Sequence, residues 1–177
     1  MNKKTRTIIQ SIVTLLILIA IGFIIYVSIH KDGNKVIKVG MDAPKFELQT
    51  LDGKTVKLTD YKGKGLILNF WGTWCEPCKE EMPDLNEMHN KYKSKNVEVL
   101  TIHVRDNKQQ IHQFFSGLKE KVNLPVAIDG EQAVMEAYNA NDLPNTYIID
   151  KNGKIVAHHK GQMSKTDIEN YMNQVKP

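Results

Sequence analysis

The stretch Leu66-Ile67-Leu68-Asn69-Phe70-Trp71-Gly72-Thr73-Trp74-Cys75-Glu76-Pro77-Cys78-Lys79-Glu80-Glu81-Met82-Pro83 decides the fold. Its first six residues form a compact apolar run of buried-strand type, and from Glu76 to about Lys93 the apolar spacing becomes helical. Met82, Leu85, Met88, His89 and Tyr92 then recur every three or four positions. Both cysteines of the chain, Cys75 and Cys78, lie at this strand-to-helix junction. A helix N-terminus leaves N–H groups unpaired and gathers positive partial charge, so a thiolate is stabilised there. Cys75 is placed as an N-cap-like nucleophile, and Cys78 follows one turn on along the same face. Pro77 falls in the first turn, where its missing N–H costs nothing. Pro83, further in, removes one backbone bond and is expected to kink the helix.

A pair spaced this way suits thiol-disulfide exchange, with Cys75 attacking a substrate disulfide and Cys78 resolving the mixed disulfide. Other uses fit less well. A structural disulfide closing so short a loop removes little chain entropy. A zinc site needs about four ligands, and no second Cys pair or closely spaced His pair exists. Haem attachment needs a His after the second Cys, where Lys79 stands. No cofactor or metal is expected. His158 and His159 lie on an expected strand, pointing to opposite faces, so shared ligation is not expected.

Working outward, Phe46–Leu48 and Thr55–Leu58 flank Asp52-Gly53 and read as a β-hairpin. Val97–Val104 is a second β-rich run, Gln109 to about Lys121 a helix, Val126–Ile128 a short strand and Glu131–Tyr138 another helix. Thr146–Ile149 and Ile155–His159 flank the turn Lys151-Asn152-Gly153-Lys154, and a last helix opens at Ser164 with Asp167 completing a capping box. Alternating strands and helices of this kind predict an α/β fold around a mixed sheet.

The net charge is +4 over 177 residues, but Lys3, Lys4 and Arg6 supply three of those charges. The remainder carries about +1 by difference, which argues against nucleic-acid binding. From Thr7 to His30 there is no Asp, Glu, Lys or Arg, and about 20 apolar residues suffice to span a bilayer as a helix. The stretch exceeds a signal-peptide core, and Ala20-Ile21-Gly22, the nearest small-residue site, lies inside it. The expected organisation is a cytoplasmic N-terminus (1–7), a single-pass transmembrane anchor (8–29), a polar tether (30–38) and an extracytoplasmic domain (39–177). The basic flank sets the orientation, and the outer compartment permits disulfides.

The run from Asn69 to Pro83 closely resembles the thioredoxin-fold family of membrane-anchored bacterial thiol-disulfide oxidoreductases of the ResA type. The resemblance covers roughly residues 37–176. It implies a thioredoxin-like fold, with a central mixed sheet flanked by helices, an N-terminal β-hairpin and a central insertion between Pro125 and Asn141, preceded by one transmembrane helix. By position, Leu143-Pro144-Asn145-Thr146 resembles the family's cis-proline loop facing the cysteines, although Asn145 departs from the small or hydroxylated residue expected there. Glu81 matches the family's active-site glutamate, an acid-base group modulating Cys78; without the resemblance it reads as an exposed helix carboxylate. Trp74, Glu76, Pro77, Leu143 and Pro144 are the implied substrate-binding residues, Leu143 through its backbone, while Trp71 is expected in the core.

The resemblance further implies that the haem-binding cysteines of apocytochrome c are the substrate, and that a CcdA-type membrane protein donates the electrons. Glu76, Glu80 and Glu81 oppose thiolate formation and favour a reductant, with Lys79 acting against them. Three alternatives stay open: a general envelope disulfide reductase, a thiol peroxidase, and a tethered peptide-binding module with incidental cysteines. The peroxidase reading meets Gly72 and Asn69 where a peroxidatic site places a hydroxyl residue and a proline, and Thr73 only two positions before Cys75.

Overall fold

The computed structural model describes residues 3–30, 37–105 and 107–177, and in the first of these ranges gives side-chain environments for 6, 9, 10 and 12–26. Two compact units divide the chain, Met1–Lys35 and Val36–Pro177.

The first unit is one helix, α1 (Lys3–His30). Its large apolar side chains between Ile12 and Tyr26 stand exposed, with Phe23 at 67%. Among the described residues no helix is long and apolar enough to cross a membrane, the continuous run of described side chains in α1 being residues 12–26. Most of the expected tether, residues 31–36, lies outside the described residues.

The second unit is built on a seven-stranded mixed sheet. Its elements are β1 (Glu47–Thr50), β2 (Thr55–Lys57), β3 (Gly65–Trp71), α2 (Glu76–Tyr92), β4 (Val97–Val104), α3 (Lys108–Ser116), β5 (Val126–Asp129), α4 (Ala133–Ala137), β6 (Asn145–Ile149), β7 (Ile155–Lys160) and α5 (Lys165–Gln174). The spatial order is β2-β1-β5-β4-β3-β6-β7. β3, β4 and β5 run parallel, and the outer pairings are antiparallel. β5 and α4 form the expected insertion, with β5 joining the hairpin β1–β2 to β4.

β3 explains why the core has two halves. All seven of its residues are buried, and successive side chains of a strand point to opposite faces. Leu66, Leu68 and Phe70 pack with Tyr138, Tyr147 and Ile149 on one side. Ile67 and Trp71 pack on the other with Met82, Leu85 and Met88 of α2 and with Ile168 and Met172 of α5. Asn69 belongs by alternation to this helix-facing side, a polar residue in an otherwise apolar row. Trp71 is fully buried, as expected of a core residue.

Local signals hold in most places. α5 starts at Ser164 with the reciprocal Ser164–Asp167 capping box, and α2 runs from Glu76 to Tyr92 with Pro83 inside it. Two helices are shorter than expected: that read over Glu131–Tyr138 spans Ala133–Ala137, its N-cap Gln132 being left-handed, and that read from Gln109 to about Lys121 ends at Ser116. Gly117 closes it, its N–H bonding to the carbonyls of Gln113 and Phe114, so the apolar pattern beyond belongs to a loop. Its start is set by an Asn107–Gln110 capping box.

Candidate active site

β3 ends at the C-terminal end of the parallel strands, and a short turn carries the chain into α2. The Cys75 N–H bonds to the Gly72 carbonyl at 3.1 Å. Cys75 is the N-cap of α2, in extended backbone conformation, and its Sγ accepts from the Cys78 N–H at 3.3 Å. The sulfur therefore faces the helix N-terminus, where negative charge is stabilised. Cys75 and Cys78 are joined as a disulfide with Cα atoms 5.2 Å apart. Their accessibility differs: Cys75 is 8% exposed and Cys78 is 0% exposed. Only the first sulfur can meet a macromolecular substrate.

Cys75 opens into a groove of about 430 Å³, walled by Trp74, Glu76, Pro77, Val104, Arg105, Met135, Asn141, Asp142 and Leu143. Another cavity, about 330 Å³ and lined by Ala43, Leu58, Tyr61, Leu66 and Ile149 among others, touches neither cysteine nor Glu81; the chemistry lies in the first. Trp74 is 51% exposed and lies over Gly72, where an added Cβ would come within 2.7 Å of the indole. The Arg105 guanidinium stands 5.9 Å from the Trp74 ring centroid, and its Nε donates to Gln132 Oε1 at 2.7 Å. Arg105 has φ of 72° and Gln132 has φ of 62°, left-handed values that side chains rarely adopt and that concentrate at functional sites.

The Leu143–Pro144 bond is cis, as the resemblance implied. Leu143 lines the groove, and among the described residues none of its backbone groups is bonded to another backbone group. Pro144 is buried behind it, its carbonyl accepting from the Gly161 N–H at 2.9 Å. Asn145 is turned inward and braces the loop. Its Nδ2 donates to the Asp142 carbonyl at 3.2 Å, and its Oδ1 lies 2.7 Å from His158 Nε2.

Glu81 is not an exposed helix carboxylate. It is 1% exposed, with Oε1 accepting from Asn69 Nδ2 at 2.8 Å and Oε2 from the Met163 N–H at 3.0 Å. Burial pushes its carboxyl up to about 7, against the opposing pull of the Met163 and Asn69 donors. A buried acid half-ionised near neutral pH, one turn beyond Cys78, is suited to take and return a proton. By contrast, Glu76 and Lys79 form an exposed pair at 3.7 Å, the kind that contributes little.

Several site residues have no signal in the local sequence. Arg105 and Asp142 come from two separate connections and Met135 from α4. Asn69, Thr146 and Met163 surround Glu81 or its partner, and only Asn69 was detectable, as a polar residue in a buried strand.

Residues 39–158 match the AhpC/TSA family. The chain is 40% identical to the thiol-disulfide oxidoreductase ResA of Bacillus subtilis (strain 168) over 177 residues, covering 100% of this chain and 97% of that protein. It is 39% identical to the protein of the same name from Geobacillus thermodenitrificans, with 100% of both covered. Among solved structures, a putative thiol:disulfide interchange protein DsbE from Chlorobium tepidum superposes with a TM-score of 0.73 at 29% identity, covering 80% of this chain and 99% of that one. With the dithiol at the mouth of a groove in a thioredoxin-like fold, the chain belongs to the AhpC/TSA family and to the ResA family of thiol-disulfide oxidoreductases.

Proposed function

We propose that this enzyme reduces protein disulfides on the outer side of the cytoplasmic membrane and keeps the haem-binding cysteines of apocytochrome c reduced for haem attachment. The observation that carries the reading is the division between the dithiol's two sulfurs: Cys75 opens into a groove bordered by Leu143, while Cys78 is enclosed, one turn before the buried Glu81 on α2.

The Cys75 thiolate attacks a substrate disulfide. A Cys75–substrate bond forms, the substrate S–S bond breaks, and one substrate thiolate leaves. Cys78 then gives its proton to Glu81 and attacks Cys75 Sγ. The Cys75–Cys78 disulfide forms, the second substrate thiolate departs and is protonated, and two electrons have passed to the substrate. The unbonded backbone of Leu143 supports docking of the substrate as an extended strand. A membrane dithiol donor of the CcdA type restores the reduced state.

The exposed apolar side chains of α1 and the basic residues Lys3, Lys4 and Arg6 support a single-pass anchor with its N-terminus in the cytoplasm. The direction of electron flow is supported by Glu76 and the neighbouring acids, which oppose thiolate formation. A reduction potential at or above about −120 mV, the range of strong oxidants, would overturn it. The substrate is tested by trapping with Cys78→Ser in cells. Apocytochrome c joined through Cys75 supports the proposal; other envelope proteins in its place would make the enzyme a general envelope reductase.

A further inference from the structure

Asn69 is fully buried on the helix-facing side of β3, and an unsatisfied buried amide group costs about 1–3 kcal/mol. Both N–H bonds of its Nδ2 are used, one to Glu81 Oε1 at 2.8 Å and one to Thr146 Oγ1 at 3.0 Å. Its Oδ1 is buried with no hydrogen-bond partner among the described residues. Glu81 Oε2 in turn faces the Met163 N–H at 3.0 Å. Each oxygen of Glu81 thus faces a donor. That arrangement suits a carboxylate, whereas a protonated Glu81 carries an O–H for which neither of these donors is an acceptor.

A half-turn of the Asn69 amide removes the conflict. It exchanges two groups of nearly equal size and brings Oδ1 to the place of Nδ2. The orphaned oxygen then accepts from the Glu81 O–H. Thr146 Oγ1, which accepts in the first arrangement, donates to the same oxygen in the second, since a hydroxyl does either. The turn moves the two N–H groups of the amide to the place where Oδ1 had no partner, a desolvation cost that the new bonds from the Glu81 and Thr146 hydroxyls to Oδ1 offset.

We propose that Asn69 is the positioning residue for the Glu81 proton, its side-chain amide turning over each time Glu81 gains or loses that proton. This rests on the acid-base role proposed above for Glu81. The groups that meet the carboxyl are few: Asn69 from β3 and the Met163 N–H ahead of α5, with Thr146 of β6 reached through Asn69 and Cys78 one turn earlier on α2. No charged neighbour contributes to its shift. Thr146 lies two residues after Pro144, so the turn also rewires the strand that carries the groove's loop.

The test is NMR of the full-length reduced chain in detergent micelles, following the Glu81 carboxyl carbon and the Asn69 side-chain amide together through a pH titration. The expected result is that contacts from the Asn69 amide protons to the Thr146 and Glu81 side chains, present while Glu81 is ionised, vanish with Glu81's own midpoint. Should Glu81 titrate while those contacts persist at every pH, the inference falls and the acid-base reading stands. A Glu81 that keeps one charge state throughout the folded range overturns both.

Discussion

Cys75 and Cys78 are three residues apart and occupy two different media. Cys75 sits at the lip of a groove with a half-exposed indole, a guanidinium and an unbonded stretch of backbone around it. Cys78 faces the interior, one turn before a buried acid held by two donors. The contrast shows how one motif supports two steps with opposite needs. Attack on a large substrate requires an accessible sulfur. Resolution requires a second sulfur that is protected from other partners and a local base to take its proton.

The comparison breaks most visibly at the sulfurs. Cys75→Ser is expected to abolish release of thiol from a model protein disulfide, whereas Cys78→Ser releases one thiol per enzyme and stops. Equal loss in both half-reactions would remove the asymmetry.

Next in size is Glu81. Its carboxyl is raised from 4.5 to about 7 on folding, so the folded state binds more protons in that interval, and stability falls as pH climbs through it. Above pH 7 the ionised, buried Glu81 costs up to about 3 kcal/mol, which Glu81→Gln recovers in part, the gain shrinking towards pH 5 in denaturant titrations. The same substitution is expected to lower kcat for disulfide reduction by about a hundredfold and to erase the inflection near neutral pH. A more stable but slower enzyme is the signature; a variant that is both unstable and slow would make Glu81 structural.

The groove side gives smaller effects. Gly72→Ala places a methyl group within 2.7 Å of the Trp74 indole, and because that ring is half exposed it swings aside at a cost of about 1 kcal/mol. KM is expected to rise with kcat largely retained. Arg105→Ala removes a cation–π contact of about 0.5–1 kcal/mol, visible as a two- to fivefold rise in KM. Steady-state kinetics on a protein substrate measures both, and a fall in kcat instead would link the groove to the resolving step.

The same two regions differ in how far the sequence exposes them. The dithiol, the strand before it and the helix after it are set by contiguous chemistry: a buried run, an N-cap, a proline in the first turn. Strand limits such as Val97–Val104 and the Ser164–Asp167 cap follow from local rules in the same way. The end of α3 is hidden in the sequence because an amphipathic pattern continues past Gly117. The burial of Glu81 is undecidable from its helix position, since it depends on Met163, 82 residues away, and on Asn69 of the strand beneath. The groove is harder still, assembled by Met135 of α4 and by Arg105 and Leu143 from two connections, two of its supports in left-handed conformations that Arg105 and Gln132 give no reason to expect.

The division of labour between the cysteines is tested most directly by pulse alkylation of the reduced full-length enzyme, with the modified residue identified by mass spectrometry across the pH range. The account predicts that Cys75 is labelled while Cys78 stays protected throughout. Labelling of Cys78 at a rate comparable to Cys75 would contradict it.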